Sequence, residues 1–336
     1  MMNVSVIVPT YNRRNSLHEL LISLSRQTYS IDQFEVIIVD DGSTDGTAEI
    51  TKEEFPFALR YFWQVNKGDA KARNLAAQQS QAEFLVFLDD DMQVEPDYLA
   101  HLLPVHLLSP GNKIVVGTEY LWLKDISPLI HPSPRPQIPA DSPITVEHPF
   151  PFTFSRNMCM KRETYIALGM MDDLGFSGSS IWCDVDFAYR AYCEDYQFLR
   201  STRAICYHHD HVARSLINAK KRNWEAAYRA VIMLQKYPEL LPHLPMFHDK
   251  TPINWSQDTP GLLLRKLMRP VASSRPVLTI LEKTANVLEQ HYASPGLLRP
   301  LRRWIIGAYT FKGYRTGLRE FGSLHGNKQS SIINIR

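Results

Sequence analysis

Three consecutive aspartates, Asp89, Asp90 and Asp91, directly follow the apolar run Phe84–Leu88. Adjacent carboxylates repel one another, and a divalent cation such as Mg²⁺ or Mn²⁺ removes that repulsion by taking carboxylate oxygens as ligands. Because residues i and i+2 of an extended segment point the same way, Asp89 and Asp91 could share one ion. A solvated acidic turn is the alternative, but the position at the end of a buried strand favours a metal site.

Two further carboxylates, Asp40 and Asp41, follow the β-branched run Val36–Val39 in the same way. A carboxylate at the carboxyl edge of a parallel sheet can accept hydrogen bonds from a ribose or a base N–H. An equally weighted alternative is that Asp41 or Ser43 caps a helix.

Cationic and amide side chains gather where a helix is predicted to begin, in the segment 66–68 (Asn-Lys-Gly) and then at Lys71, Arg73 and Asn74. Helix N-termini and guanidinium groups both suit phosphate, so this segment is a candidate phosphate site. A solvated basic helix face is the alternative.

Three histidines, His208, His209 and His211, follow the apolar run 205–207. One imidazole beside carboxylates is a credible Mn²⁺ ligand, and we favour His208 or His211 without separating them. A solvated histidine cluster is the alternative.

The candidate side chains can form one site only if the strands that precede them end at the same edge of a sheet. The hydrophobic pattern predicts alternating strands and helices, and therefore an α/β fold with parallel crossover units and functional loops at the carboxyl ends of the strands. Strands are predicted at Val4–Val8, Val36–Val39, Leu59–Gln64 and Phe84–Leu88, and helices at Leu17–Leu24 (capped by Ser16), Thr44–Glu54 and Ala70–Gln79.

The stretch Pro104–Pro151 is rich in proline and predicts a long irregular loop, either a lid or a surface excursion. Beyond Ser215 the pattern is helical and basic, and five prolines are expected to divide it into short helices. These prolines are Pro260, Pro270, Pro276, Pro295 and Pro300.

The composition is that of a globular protein and argues against several other classes of protein. The chain has 336 residues, of which 44% are hydrophobic and 21% charged, as in an ordinary globular protein of one or two domains. Its four cysteines form no CxxC pair, which argues against a disulfide scaffold or a zinc ribbon; Cys159, Cys193 and Cys206 are predicted to be buried. Short apolar runs and the lack of a basic leader predict a cytoplasmic protein without a membrane span.

Five segments together resemble the family 2 glycosyltransferases, which have the GT-A fold. They are SVIVPTYNR (5–13), VIIVDDGSTDGT (36–47), NKGDAKARN (66–74), FLVFLDDDM (84–92) and WCDVDFAYR (182–190). The resemblance covers residues 3–211 and implies a Rossmann-like, mostly parallel central sheet with flanking helices. We therefore expect a GT-A domain at 1–214, with a nucleotide-sugar half (1–103) and an acceptor half (104–214), and a basic helical extension at 215–336.

The resemblance also implies a nucleotide-sugar donor, usually with UDP, and a divalent cation. Residues beside the base, ribose and phosphates would be Pro9, Thr10, Tyr11, Arg13, Asp41, Asn66, Lys67, Arg73, Asp89 and Asp90. The cation would be held by Asp91, with Asp89, His208 and His211 as further candidate ligands.

On the acceptor side, Asp184 matches the position of the family's catalytic base, whereas Cys183 replaces the acidic residue that usually precedes it. Trp182, Cys183 and Asp186 are the candidate acceptor contacts. Trp182 could equally fill a core, Asp184 could cap a helix, and Asp186 could form an i, i+4 ion pair with Arg190.

The C-terminal region is strongly basic: residues 261–336 contain thirteen Lys or Arg and three Asp or Glu. The segments Leu262–Met268 and Leu297–Phe311 mix apolar and basic residues, a pattern typical of helices that lie on a membrane surface. The first 260 residues hold 32 acidic and 24 basic side chains. Peripheral contact with the inner membrane face, packing on this acidic part of the chain and packing on a second subunit remain alternatives. No nucleic-acid-binding module is recognisable.

The leading hypothesis is an inverting, metal-dependent glycosyltransferase, a hexosyl- or N-acetylhexosaminyl-transferase that moves a sugar from a UDP-sugar to a hydroxyl of a glycan or lipid-linked acceptor. The enzyme would act in glycan, polysaccharide or glycolipid synthesis. The alternatives are a nucleotidyltransferase and a nucleotide-sugar-binding protein without turnover.

Overall fold

The computed structural model describes residues 3–108, 111–121, 138–139, 141–175, 181–209, 216–290 and 295–322. The chain divides into two compact units, Met1–Asp210 and His211–Arg336. The strands of the first unit are β1 (Val4–Thr10), β2 (Phe34–Asp40), β3 (Ala58–Trp63), β4 (Phe84–Leu88), β5 (Met92–Val94), β6 (Lys113–Leu121), β7 (Thr145–Glu147), β8 (Asn157–Lys161) and β9 (Gln197–His208). Its helices are α1 (Arg14–Leu24), α2 (Asp69–Gln79), α3 (Tyr98–Leu102), α4 (Arg162–Ala167) and α5 (Cys183–Cys193).

The first half of the sheet is parallel, with the order β3-β2-β1-β4, as the alternating pattern predicts. Strands β1 and β2 are buried along their whole length, which accounts for the β-branched residues that make up most of both strands. Their register pairs Thr10 with Asp40, so the loops that follow both strands begin side by side. The predicted strands and crossover units are confirmed here.

The second half of the sheet mixes directions: β8 runs antiparallel to β4 and β6, β9 runs parallel to β6, and β5 and β7 pair antiparallel with β9. Strand β6 corrects the expectation of an irregular loop over Pro104–Pro151. Its residues Ile114, Val115 and Val116 are at most 5% exposed, and burying this β-branched run inside the sheet outweighs the prolines around it.

Two predicted helices differ from the structure. Helix α1 begins at Arg14, so Ser16 lies inside it and is not its N-cap. The expected helix at Thr44–Glu54 is a short 3₁₀ segment, Thr47–Lys52. Asp45 accepts hydrogen bonds from the Thr47 backbone N–H and hydroxyl, a local turn that competes with a regular helix start.

The second unit is helical, with α6 (Leu216–Lys236), α7 (Pro245–His248), α8 (Pro260–Ala272), α9 (Arg275–Gln290) and α10 (Pro295–Phe321). Pro270 and Pro300 lie inside helices, contrary to the expectation that they end them, while the other three prolines lie in first turns, where proline is tolerated. Gly313 and Gly317 allow α10 to approach α6, because a Cβ at either would collide with backbone atoms of Trp224 or Tyr228. Among the described residues, no helix is both long and apolar enough to cross a bilayer.

Candidate active site

A cavity of about 270 Å³ opens at the carboxyl ends of β1, β2 and β4. The predicted nucleotide-sugar residues therefore come together in space, with the exception of Lys67. The lining consists of Pro9, Thr10, Tyr11, Arg13, Asp41, Asn66, Gly68, Asp69, Arg73, Asp89 and Asp90. The ends of β1, β2 and β4 with the loops that follow them, together with the β3–α2 loop and helix α2, supply these residues, and the parallel register of the strands aligns them.

Asp41 holds the loop that carries Asn66 and Lys67. Its Oδ1 accepts hydrogen bonds from the Gln64 side chain (2.6 Å) and the Lys67 N–H (2.8 Å), and its Oδ2 accepts one from the Gly68 N–H (2.8 Å). The buried carboxylate thus fixes the wall of the cavity with three donors, and any contact with a ribose or base would be additional to that task.

Arg13 bridges two of the three aspartates. Its Nη1 lies 2.9 Å from Asp90 Oδ1 and 2.7 Å from Asp91 Oδ2, and the Thr10 hydroxyl donates a hydrogen bond to Asp90 Oδ2 at 2.8 Å. Burial raises the pKa of Asp90 to about 7, although Arg13 opposes this shift. Asp90 and Asp91 are buried and Asp89 is half-buried, and arginine side chains contact all three, unlike a solvated acidic turn.

Arg73 links the third aspartate to helix α2. Its guanidinium contacts Asp89 Oδ1 at 2.5 Å and Asp69 Oδ2, one helical turn earlier, at 2.6 Å. Arg73 is 1% exposed, which excludes a solvated helix face for this residue, whereas Lys67 and Lys71 are exposed. The side chain thus contributes positive charge to the lining of the cavity and fixes the position of Asp89.

His208 faces the triple aspartate from another strand. The antiparallel pairing of β5 with β9 places His208 opposite Met92, the residue after Asp91, and the Nε2 atom lies 3.4 Å from Asp91 Oδ1. Burial lowers the pKa of His208, but contacts with Asp91 and Glu119 outweigh it and raise the pKa to about 9. His211, the other candidate histidine, lies outside the described residues.

Glu119 and Arg156 continue this chain of contacts on the second ring nitrogen of His208. Glu119 Oε1 lies 3.4 Å from His208 Nδ1, and Glu119 Oε2 accepts a 2.9 Å hydrogen bond from Arg156 Nε. A carboxylate on the second ring nitrogen is the partner that metal-binding histidines usually have, because it fixes the orientation of the ring.

The residues present fit a divalent cation. Asp91 Oδ1 is buried, and within the described residues it accepts no hydrogen bond. His208 and Arg13 keep the pKa of Asp91 below its usual value despite burial, so the carboxylate is ionised. The described residues contain no cluster of three ligands, which leaves Asp91 and His208 as a pair. A pair suits an ion such as Mg²⁺ or Mn²⁺, which commonly takes the remaining ligands from substrate phosphates and water.

Asp184 lies in the first turn of α5 and is partly exposed. Burial raises the pKa of its carboxyl to about 6, and the charges of Arg73 and Arg156 oppose that shift. The same Arg73 contacts Asp89, so Asp184 lies within electrostatic reach of the cavity although it does not line it. Its Oδ1 also accepts a hydrogen bond from the Val185 N–H at 3.0 Å.

The three candidate acceptor contacts have different surroundings. Trp182 is partly exposed at φ 76°, a left-handed conformation that non-glycine residues rarely adopt and that often accompanies functional sites. Cys183 is 2% exposed, and burial raises the pKa of its thiol well above the usual range. Asp186 has no exposed surface and pairs with Arg190 Nε at 2.9 Å, the arrangement considered as the alternative.

Several residues of the site carried no clear sequence signal. Glu119 and Arg156 lie far apart in the chain, and only the pairing of β6 with β9 brings Glu119 to His208. Asp69 could have been found, because it precedes Arg73 by four residues on a predicted helix, the spacing of an ion pair. Cys193 corrects another expectation: it is exposed at the end of α5, while Cys159 and Cys206 are buried.

Comparison with known proteins agrees with this architecture. A mannosyltransferase from Pyrobaculum calidifontis in complex with GDP-Man and Mn²⁺ superposes with a TM-score of 0.60 at 21% identity, over 95% of this chain and 87% of that chain. TarS of S. aureus (residues 1–349), in complex with UDP-GlcNAc, gives 0.52 at 20% identity, over 94% and 92%. At these identities the likeness shows the fold, and the α/β GT-A class expected from the sequence is confirmed.

Sequence comparison identifies the family. Validoxylamine A glucosyltransferase of Streptomyces hygroscopicus subsp. jinggangensis is 38% identical over 120 residues, which are 35% of this chain and 28% of that protein. The match thus spans less than a third of that relative. The model of the family described as glycosyl transferase family 2 matches residues 5–165. Residues 5–165 of this chain therefore form a domain of glycosyl transferase family 2.

Proposed function

We propose that this chain is an inverting, metal-dependent glycosyltransferase that moves a hexosyl or N-acetylhexosaminyl group from a UDP-sugar to an acceptor hydroxyl, in glycan, polysaccharide or glycolipid synthesis. One observation carries the proposal: Asp184, whose pKa burial raises to about 6, lies within reach of Arg73, which contacts Asp89 at the cavity. The proposed base and the candidate donor site thus share Arg73 as a common neighbour. The TarS structure with UDP-GlcNAc is consistent with a uridine donor, whereas the mannosyltransferase structure holds the guanosine donor GDP-Man; both support a nucleotide-sugar.

In the proposed step, the Asp184 carboxylate removes the proton from the acceptor hydroxyl as that oxygen attacks the anomeric carbon. The bond from this carbon to the diphosphate oxygen breaks, and UDP leaves with the electron pair. Attack from the side opposite the leaving group inverts the anomeric centre. General base assistance of this kind contributes about 10²–10⁴-fold to rate.

The diphosphate would lie near Asp89, Asp90 and Asp91. A divalent cation held by Asp91 and His208 would neutralise the negative charge that develops on the departing diphosphate. Arg13, which is 40% exposed at its side chain, could exchange its aspartate partners for a phosphate oxygen when the cation is present. Glu119 would keep the His208 ring turned toward Asp91.

The proposal is tested with Asp184→Asn, which keeps the shape of the side chain but cannot accept the proton. We expect transfer to fall by about 10²–10⁴-fold while UDP-sugar affinity, measured by calorimetry with Mn²⁺, stays within twofold. Asp195→Asn is the matched control, because Asp195 is exposed at φ 56°, where asparagine is well tolerated. Full activity of Asp184→Asn would remove this residue from the mechanism.

The same assay distinguishes the two alternative functions. Release of pyrophosphate from UTP and a sugar 1-phosphate, with no UDP released from a UDP-sugar, would indicate nucleotidyl transfer. Tight, Mn²⁺-dependent binding of UDP-sugars without transfer to a panel of glycan and lipid-linked acceptors would indicate a binding protein, for which the unusual Cys183 is the feature to examine. Selective stabilisation by GDP over UDP in a thermal shift experiment would change the donor class alone.

A further inference from the structure

Helix α8 (Pro260–Ala272) has its apolar and charged faces reversed. Four apolar side chains at helical spacing are exposed to solvent: Leu264 (61% exposed), Leu267 (51%), Met268 (42%) and Val271 (53%). On the opposite side of the same helix, Lys266 and Arg269 are buried, at 7% and 9%. In an ordinary helix of a globular protein the apolar stripe faces the core. We call the four exposed residues the α8 stripe.

The buried charges fix this orientation. Lys266 Nζ donates to Asp258 Oδ2 at 2.6 Å and to the Pro252 carbonyl at 2.8 Å. Arg269 Nε donates to Asp249 Oδ2 at 2.6 Å, and its guanidinium lies 4.9 Å from the centre of the Trp304 ring. Turning the helix to bury the α8 stripe would strip two cations of their partners, so the reversed arrangement is built into the fold.

The unit has a core of its own without the α8 stripe. That core is formed by Leu216, Leu278, Ala285, Ile305 and Ala308, all at most 9% exposed. Exposed apolar stripes of this kind are typical of surfaces that bind another body. The next helix adds further exposed apolar residues, Ile280 (63% exposed) and Val287 (53%).

Charge indicates what covers the stripe. Residues 261–336 contain thirteen basic and three acidic residues, and two of the acids, Glu282 and Glu289, form ion pairs with Lys220 and Arg302. Exposed cations accompany the apolar residues at Arg265, Arg275, Lys283, Arg299 and Arg303. Apolar side chains combined with uncompensated cations match the interface of a membrane that contains anionic lipids.

We propose that the α8 stripe inserts into the interfacial region of an anionic lipid bilayer and so docks the second unit on a membrane surface. The proposal rests on the second unit alone and does not depend on the transfer reaction or on Asp184. A lipid surface satisfies both features at once, because acyl chains accept the leucines and methionine while phosphate headgroups attract the neighbouring arginines.

The test is flotation of the full chain with vesicles of phosphatidylcholine alone and with vesicles containing one part phosphatidylglycerol to three of phosphatidylcholine. We expect binding to the anionic vesicles, weakened by salt, and at least about a tenfold loss of partitioning in the double variant Leu264→Gln/Leu267→Gln. Arg265→Gln should reduce binding to anionic vesicles by a smaller factor, about fivefold. Leu107→Gln is the matched control, since Leu107 is 82% exposed in the first unit.

Three results would overturn the proposal. One is the absence of vesicle binding at low salt, and another is equal binding by the double variant and the wild-type chain. The third is a concentration-dependent oligomer in analytical ultracentrifugation that the double variant abolishes, because the stripe would then be an interface between copies of this chain. Because the substituted side chains are exposed, far-ultraviolet circular dichroism should show an unchanged fold in every variant.

Discussion

The two units of the molecule use buried charge in opposite ways. In the first, Arg13, Arg73, Asp89 and Asp90 line a cavity, so their charges are balanced within the protein yet open to a ligand. In the second, Asp249 lies between Lys250 and Arg269, all with side chains at most 10% exposed. There the charges are closed off, and it is the apolar side chains of α8 that face outward.

The difference shows that a buried ion pair does not by itself mark a functional site. A closed pair orients structural elements, and loss of one partner leaves an uncompensated charge in the interior. A charged side chain that faces a cavity can exchange its ion-pair partner in the protein for a charged group of a bound substrate. Three substitution or titration experiments sharpen this contrast, beginning with the largest expected effect.

The buried cluster of Asp249, Lys250 and Arg269, here called the closed cluster, should lose more stability on removal of its anion than the charges that line the cavity. Asp249→Asn leaves Lys250 and Arg269 buried without a carboxylate, and we expect the free energy of unfolding to fall by about 3–5 kcal/mol. Arg269→Met should cost less, because Asp249 keeps Lys250 as its partner. Urea-induced unfolding of the full chain, followed by tryptophan fluorescence, measures both. Equal losses in the two variants would contradict the closed-cluster description.

The open site should respond in ligand affinity and hardly at all in stability. Glu119→Gln weakens the contact that orients His208, and we expect Mn²⁺ affinity in the presence of UDP to fall by about 10–100-fold. Calorimetric titration of Mn²⁺ measures this directly. The control is Glu147→Gln, on the exposed edge strand β7. Unchanged Mn²⁺ affinity in Glu119→Gln would show that Glu119 does not position His208.

The third experiment measures how the rate of sugar transfer depends on pH, which tests the raised pKa of Asp184. Asp184 accepts a proton only when ionised, and burial raises its pKa to about 6, with Arg73 opposing. We therefore expect kcat/KM to be constant above this pH and to fall about tenfold per pH unit below it. Donor binding measured over the same range separates the base from ligand effects. If kcat/KM instead begins to fall only near pH 4, the ordinary pKa of aspartate, Asp184 is not the group that titrates.

Local patterns predicted the parallel half of the sheet well. The runs at Val4–Val8, Val36–Val39 and Phe84–Leu88 are strands because strands buried in a sheet need mostly apolar residues, which are largely β-branched in the first two runs and aromatic or leucine in the third. The loops after them met in one cavity because parallel strands end at one edge. Helix starts were predicted less well: α1 begins at Arg14, two residues before Ser16, and after Thr44 the Asp45 side chain accepts hydrogen bonds from Thr47.

Strand β6 was missed because proline-rich flanks dominated the pattern around Ile114–Val116, although that apolar run was itself a strand signal. The partners of His208 are a different case. Glu119 reaches it through the pairing of β6 with β9, and Arg156 reaches Glu119 from the loop before β8. No spacing within the chain encodes a contact that depends on the register of three strands.

By itself, the sequence determined the chemistry available to this protein: which strands end in carboxylates, which helix begins with cations, and which tail is basic. These properties depend on neighbours within a few residues. Only the tertiary structure decided that Arg13 bridges Asp90 and Asp91, that Glu119 contacts His208, and that α8 turns its leucines outward. Each of these outcomes depends on which distant partner satisfies a buried charge, and the cost of leaving such a charge unpaired exceeds any local preference.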